Sequence, residues 1–313
     1  MKIVQSFYQI DRKVCYFNGD DNDNYLINFY SNLLSYIKLN ELYGDVTIHC
    51  NSYAYDNMLK YIPYDNVIFD ELDWINSDNY GNEWGLMKFH VFEQQKEPFI
   101  HIDGDVFLFN DLLSEFINND NYDGIVQSLD MSSQVYGAFY LNNIDKLRKL
   151  NIINKIPDNI NLKYNGAVGF NNGVVGFKNM SFLKHYIGMA KKLNKLMNEG
   201  TFKNVNHQTM IFEQFNLYHT VMNKKMNFYK VLSNDLISEF GLNEAGSKVG
   251  YTHLLSGNKY VDYFVMLVRN KIINEYPEFE ENIRLFEKSI SGANIRYLKH
   301  KNIENLINVV WEN

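Results

Sequence analysis

The first hundred residues alternate between short apolar runs and longer amphipathic segments. The apolar runs predict strands at Met1–Gln5, Asp45–Cys50, Val67–Phe69 and Phe99–Ile102. Between them, apolar residues recur at helical spacing, which predicts helices at Asn24–Leu39, Tyr53–Tyr61 and Glu83–Gln95. Strands that alternate with helices are typical of a mostly parallel sheet covered by helices. The pattern therefore predicts an α/β fold.

The remainder of the chain continues this pattern less regularly. It predicts strands at Gly124–Gln127, within 171–179 and at Val249–Leu255, and helices at Asp111–Asn118, Ser181–Met197 and Val205–Phe215. The sequence after Asp262 is mostly helical in pattern, with one break at Pro277. We therefore expect a main domain over residues 1–261 and a C-terminal helical segment, 262–313, packed on it.

Composition narrows the classes of function. A formal charge of −7 argues against nucleic acid as a partner, because phosphate binding needs clustered Lys and Arg. No apolar run approaches the roughly 18 residues of a membrane span, and the N-terminal run is too short and polar for a signal peptide. Cys15 and Cys50 lack a CxxC partner, so they form neither a zinc site nor a disulfide framework. These features favour a cytoplasmic location.

The segment Asp103-Gly104-Asp105 is the first candidate for chemistry. It directly follows the apolar strand Phe99–Ile102, and ligands in parallel sheets bind at the carboxyl ends of strands. A bend at Gly104 would let both carboxylates converge on one divalent cation, which prefers oxygen ligands. The alternative is a tight surface turn without a ligand.

Four short motifs, in a fixed order, resemble those of glycosyltransferase family 8, whose members have the GT-A fold. Asp103-Gly104-Asp105 resembles the family's DxD motif, and Asn172-Gly173-Val174-Val175 resembles its N-x-G-V stretch. The segment 207–212 is similar to the start of its D-Q-D helix, and 252–259 to its C-terminal H…G-x-K segment. The resemblance covers roughly residues 1–260.

The resemblance implies a GT-A (Rossmann-like) fold and a set of site residues. The metal, Mn²⁺ or Mg²⁺, would be held by Asp103, Asp105 and His253. The donor, a UDP-sugar, would be bound by Lys88, Asp103, Asp105, Asn172, Gly173, Gly257 and Lys259. Catalysis would involve Gln208, beneath the anomeric carbon, and Asp130, at the sugar pocket. Residues 1–261 would then form the nucleotide-sugar-binding catalytic domain.

The implied activity is metal-dependent transfer of a hexose, with retention of anomeric configuration. The acceptor would be a sugar, a lipid-linked molecule or a peptide, which the sequence does not distinguish. An inverting reaction would instead need a general base, for which Asp130 and Glu213 are the candidates.

Two other classes of protein remain alternatives. His207 stands where the family has an aspartate, which leaves open a non-catalytic protein that binds nucleotide-sugars. An Asp-x-Asp after a strand also resembles the haloacid-dehalogenase phosphatases. Their motif continues with Thr or Val at the position that Phe107 occupies, and it usually opens the domain.

Overall fold

The structure is a computed structural model that describes residues 1–9, 21–70, 72, 80–130, 169–198, 210–254 and 262–290 of the chain. Its strands are β1 Lys2–Phe7, β2 Val46–Cys50, β3 Asn66–Phe69, β4 Phe99–Ile102, β5 Val106–Leu108, β6 Gly124–Asp130, β7 Gly169–Phe177, β8 Phe228–Lys230 and β9 Tyr251–His253. Its α-helices are α1 Asp21–Tyr43, α2 Ser52–Asn57, α3 Tyr80–Gln94, α4 Ser114–Asn118, α5 Met180–Asn198, α6 Asn216–Lys224, α7 Asn234–Phe240, α8 Leu242–Val249, α9 Asp262–Glu275 and α10 Glu280–Ser289.

The chain divides into two compact units. The first unit comprises Ile3–Gly81, Ile102–Asp111 and Leu242–Asn313. The second unit comprises Met1–Lys2, Asn82–His101 and Leu112–Gly241. The predicted division between residues 261 and 262 stays a prediction.

Each unit contains one run of hydrogen-bonded strands. In the first unit the order is β3-β2-β1, and both pairs are parallel, with Ile3 opposite Val46 and Thr47 opposite Asn66. In the second unit the order is β4-β7-β6-β8, where β6 is antiparallel to β7 and parallel to β8. The predicted α/β class, with a mostly parallel sheet flanked by helices and a helical C-terminal segment, is confirmed.

The core of the second unit is rich in aromatic side chains. Every residue of β7 is buried. On this strand Phe177 packs against Phe92, Phe99 and Tyr186, at ring-centroid distances of 5.9 Å for each pair. Aromatic side chains bury large apolar areas, so this cluster fixes β7 against α3 and α5.

The C-terminal helices contact α1 inside the first unit. Phe286 of α10 stacks on Phe29 of α1, with ring centroids 3.9 Å apart. Nearby, the Tyr30 hydroxyl and the Arg269 guanidinium both donate to Glu287, at 2.7 and 2.6 Å. A charge pair joined to a buried ring cluster fixes the orientation of these helices on α1.

Two predicted helices differ from what the structure shows. The helix predicted over Tyr53–Tyr61 ends at Asn57 and resumes as a 3₁₀ turn, Leu59–Tyr61, because Met58 between them has a non-helical backbone. The helix predicted over Val205–Phe215 contains a π-helical turn at Ile211–Phe215, which continues into α6. Residues 205–209 lie outside the described part. Among the described helices, none has the length and apolar character needed to cross a membrane.

Candidate metal centre

Asp103, Asp105 and His253 come together in the first unit. Each offers one ligand atom, and these atoms lie within 4.8 Å of one another. The Nε2 atom of His253 lies 3.5 Å from Oδ1 of Asp105. All three side chains are partly buried. Two carboxylates and an imidazole at these separations form a set of ligands for a divalent cation.

Strand pairing brings His253 to the two aspartates from about 150 residues away in the sequence. β5 and β9 form a two-stranded antiparallel sheet in which Val106 lies opposite His253. The backbone N–H of Leu254 donates to the carbonyl oxygen of Asp105 at 3.0 Å. The same sheet therefore holds all three candidate ligands in place.

A tight turn shapes the Asp-Gly-Asp segment, and a neighbouring side chain explains its glycine. The N–H of Val106 donates to the Asp103 carbonyl at 3.0 Å, which closes the turn. A Cβ added to Gly104 would lie 2.1 Å from Oδ1 of Asn32 on α1. A larger residue at this position would displace the Asn32 side chain, whereas the sequence suggested that the glycine allows bending beneath the ligand.

A buried chain of hydrogen bonds fixes the strand that follows the turn. Tyr64 donates to Gln5 Oε1 at 3.0 Å, and Gln5 Nε2 donates to Ser35 Oγ at 2.8 Å. Ser35 in turn donates to the carbonyl oxygen of Val106 at 2.7 Å. Because buried polar groups are costly when unpaired, this chain holds β5 in one position relative to β1 and α1.

The chemistry of this site fits a metal ion. Asp103 and Asp105 place two negative charges in a partly buried position, where a divalent cation would neutralise them. Two fully buried polar atoms of the same unit, Tyr251 Oη and Asn32 Oδ1, make no hydrogen bond to any described residue. Asn32 contacts the turn directly, and burial, followed by the charges of Asp105 and Asp103, raises the pKa of Tyr251. An unmet polar atom at the turn between two candidate ligands, such as Asn32 Oδ1, is typical of a site that binds an ion or water.

Lys88 lies in the second unit, within a buried polar cluster. Its Nζ is 3.2 Å from Glu213 Oε1 and donates to the carbonyl oxygen of Asn172 at 3.3 Å. The side-chain amide of Asn172 also donates to Glu213 Oε1, at 3.4 Å. Glu213 is completely buried and belongs to the π-helical turn. Lys88 is therefore held by an internal carboxylate, a contact that the resemblance did not indicate.

The other predicted site residues are only partly described. Gly173 is buried in β7, and its N–H donates to Asn171 Oδ1 at 3.1 Å. Asp130 is buried at the end of β6, and burial raises the pKa of its carboxyl from 3.8 to about 6. Gln208, Gly257 and Lys259 lie outside the described residues.

A second titratable group of this unit is shifted in the opposite direction. His219 on α6 is buried, and its Nε2 has no hydrogen-bond partner in the described part of the chain. Burial lowers the pKa of its imidazole from 6.5 to about 4. Folding therefore favours a neutral His219 and a neutral Asp130 over the same range of pH.

These two shifts predict opposing pH dependences of stability. The contribution of Asp130 is fully present below pH 3.8 and is lost as the pH rises through about 6. The contribution of His219 is fully present above pH 6.5 and is lost as the pH falls through about 4. In Asp130→Asn the opposing contribution of Asp130 is removed. The contribution of His219 then dominates, and the free energy of unfolding should fall by about 3 kcal/mol as the pH is lowered from 6.5 to 4.

Urea unfolding of the wild type, Asp130→Asn and His219→Gln across this range of pH checks the prediction. His219→Gln should show the opposite slope, with stability lost as the pH rises. A difference between wild type and either variant that does not change with pH would contradict it.

Sequence reasoning missed Asn32, Tyr251 and the pairing of Lys88 with Glu213. Tyr251 carries a weak signal, because it stands two positions before His253 on a predicted strand and so shares its face. Lys88 and Glu213 carry a clearer one, since each is a single charge between apolar residues of a helical segment. Asn32 gives no signal in the sequence.

Comparisons with solved structures place this chain beside several glycosyltransferases. The apo form of mouse xyloside xylosyltransferase 1 is 12% identical, with 73% of this chain and 84% of that chain covered and a TM-score of 0.41. The galactosyltransferase LgtC, in complex with donor and acceptor sugar analogues, is 12% identical, with 74% and 73% covered and a TM-score of 0.39. Apo GlyE of Streptococcus pneumoniae TIGR4 is 10% identical, with 92% and 63% covered and a TM-score of 0.45. Likeness at this level does not decide what the chain does.

Comparison of sequences gives a family. No curated protein matches the chain. A family model described as "Family of unknown function (DUF6734)" matches residues 1–286. Because this match spans most of its length, the chain belongs to the DUF6734 family.

Proposed function

We propose that this protein is a metal-dependent glycosyltransferase that moves a sugar from a UDP-sugar to an acceptor with retention. The observation that carries the proposal is the convergence of Asp103, Asp105 and His253. The motif resemblance to glycosyltransferase family 8 implies this same ligand set, and the Asp-Gly-Asp turn follows a sheet strand as the resemblance requires.

Electrostatics explain why binding of the donor would depend on a metal. Asp103 and Asp105 each place a carboxylate oxygen within 4.8 Å of the other's, and their charges would repel the two phosphates of a nucleotide-sugar. The three side chains would hold Mn²⁺ or Mg²⁺, which would neutralise the charge that develops on the diphosphate leaving group. We therefore expect the site to bind the nucleotide only when the cation is present.

The retaining and inverting reactions differ in which group takes the proton of the acceptor. In the retaining scheme a departing phosphate oxygen takes this proton, so no carboxylate base is required. An inverting reaction needs a base, and Glu213 is poorly suited because it is completely buried and paired with Lys88. Asp130, with a pKa raised to about 6 by burial, is the better candidate for that alternative.

The remaining roles stay predictions from the resemblance. They are donor binding by Lys88, Asn172, Gly173, Gly257 and Lys259, and catalysis by Gln208 with Asp130. Variants of these residues should be compared with the wild type by KM for the donor and by kcat.

The test is a panel of nucleotide-sugars incubated with the protein and Mn²⁺, scored for release of nucleoside diphosphate. We expect release from a UDP-sugar with Mn²⁺ and none with a chelator. The anomer that NMR detects first should keep the configuration of the donor. Asp56→Asn, which alters an exposed carboxylate of the same unit, is the matched control and should behave as wild type.

Two results would contradict the proposal in different ways. Metal-dependent binding of UDP without turnover of any donor would identify a non-catalytic nucleotide-sugar-binding protein. Absence of metal-dependent binding would remove the donor site itself.

A further inference from the structure

The side chain of Asn32, on α1, contacts the middle of the Asp-Gly-Asp turn. It occupies the space into which a Cβ at position 104 would project, since such a Cβ would lie 2.1 Å from Oδ1 and 2.6 Å from Cγ of Asn32. Glycine carries only a hydrogen in this direction, which permits the close approach. The contact therefore joins the helix directly to the residue that separates the two candidate aspartate ligands.

The backbone conformation of Gly104 does not account for a glycine at this position. The described glycines with a positive φ are Gly44, Gly241 and Gly250, and Gly104 is not one of them. Its φ therefore lies outside the range that favours glycine. What excludes a larger residue is the side chain of Asn32.

A hydrogen bond within α1 holds the Asn32 side chain in place. Nδ2 donates to the carbonyl oxygen of Asn28, one turn earlier, at 2.8 Å. Asn32 is 4% exposed, and its Oδ1 makes no hydrogen bond to any residue that the structure describes. A buried oxygen without a donor is costly, and alanine favours a helix more than asparagine does. The asparagine therefore does not serve the stability of α1.

The helix α1 contacts the turn at two points. Asn32 lies against Gly104, and Ser35 donates to the carbonyl oxygen of Val106, directly after the turn, at 2.7 Å. Asn32 and Ser35 are three residues apart on the helix and so share a face. One face of α1 therefore supports both the middle and the end of the turn.

The contact at Gly104 bears on the candidate ligands through the backbone. The torsion angles φ and ψ of Gly104 are the free rotations between Asp103 and Asp105, because the peptide bonds themselves are planar. These angles set how the two carboxylates are directed relative to one another. A side chain that fixes the position of Gly104 therefore helps to hold both ligand atoms within 4.8 Å.

We propose that Asn32 is a positioning residue of the metal centre, whose side chain packs against Gly104 and holds the turn in the conformation that makes both carboxylates converge. This inference rests on the proposed metal-dependent function. Residues that orient metal ligands without binding the ion typically contribute about 10–100-fold to metal affinity.

The test is Asn32→Ala, which removes the group that contacts Gly104. Calorimetric titration of the full chain with Mn²⁺ alone should show an affinity lower by about 10–100-fold. Without Mn²⁺, the midpoint of urea unfolding should stay the same or rise, because alanine favours a helix and an unpaired buried oxygen is removed. These two measurements distinguish positioning of the ligands from support of the fold.

Asn40→Ala is the matched control on the same helix. The amide of Asn40 donates to Asp65 Oδ2 at 2.9 Å rather than contacting the turn. Loss of this bond should leave the Mn²⁺ affinity at the wild-type value, whatever its effect on the unfolding midpoint.

A second substitution tests the contact itself. Gly104→Ala should lower both the Mn²⁺ affinity and the unfolding midpoint, because its Cβ would overlap with Asn32. In Asn32→Ala/Gly104→Ala this space is free, so the midpoint should return towards the wild-type value. The Mn²⁺ affinity of the double variant should equal that of Asn32→Ala, since residues in contact do not act additively.

Each other outcome overturns the inference. Wild-type Mn²⁺ affinity in Asn32→Ala, or losses that simply add in the double variant, would remove the positioning role and leave the proposed function standing. Weaker binding together with a lower midpoint in Asn32→Ala without Mn²⁺ would show that the side chain supports the fold. Absence of saturable Mn²⁺ binding by the wild type would overturn both the inference and the proposed function.

Discussion

Replacing Asp103 or Asp105 with alanine is expected to abolish Mn²⁺-dependent binding of UDP. Each variant removes one of three ligand atoms that lie within 4.8 Å of one another. Loss of a group that only supports a ligand already costs about 10–100-fold in affinity, so loss of a ligand should cost at least about 100-fold. Calorimetric titration with UDP, with and without Mn²⁺, measures the effect.

Folding must be checked in the same variants, because Asp105 also contacts His253. Both aspartates are only partly buried, so alanine should leave the unfolding midpoint without metal close to that of the wild type. Metal-dependent UDP affinity within a few-fold of wild type in either variant would contradict the assignment of these residues.

Replacing Lys88 with methionine is expected to destabilise the second unit strongly. The change leaves the completely buried carboxylate of Glu213 without its ammonium partner 3.2 Å away. Breaking a buried pair in this way typically costs about 3–5 kcal/mol, since an uncompensated charge remains in the interior. Urea unfolding of the variant measures the loss.

The double variant Lys88→Met/Glu213→Gln separates charge from packing. It buries no charge, so it should recover most of the stability that Lys88→Met loses. The matched control is Lys191→Met, which breaks an exposed pair with Glu93 in the same unit and should cost less than about 1 kcal/mol. Equal losses from Lys88→Met and Lys191→Met would show that the buried pair does not stabilise the fold.

Much of the fold was predictable, because apolar periodicity reports which faces are buried. The strands from β1 to β4 and the helices α1 and α3 follow the predicted pattern to within a few residues. β5 and β8 were missed, as each has only three residues and too short an apolar run to show a period. The π-helical turn at Ile211–Phe215 was also missed, since its apolar pattern does not differ from that of an α-helix.

The candidate site was predictable where its chemistry is local. Asp103 and Asp105 stand together in the sequence after an apolar strand, and their spacing alone suggests a cation site. His253 was found only through the motif resemblance, because its approach depends on the pairing of β5 with β9. Asn32 and Tyr251 are defined by buried atoms without partners, a property of the packed structure that no sequence pattern expresses.

The central claim is that Asp103, Asp105 and His253 together bind a divalent metal. Pulsed electron paramagnetic resonance of Mn²⁺ bound to the wild type and to His253→Ala tests it most directly, since it detects nitrogen atoms coordinated to the ion. We predict a signal from one coordinated histidine nitrogen in the wild type and its loss in His253→Ala. Bound Mn²⁺ without a nitrogen ligand, or a nitrogen signal that persists in the variant, would contradict this account.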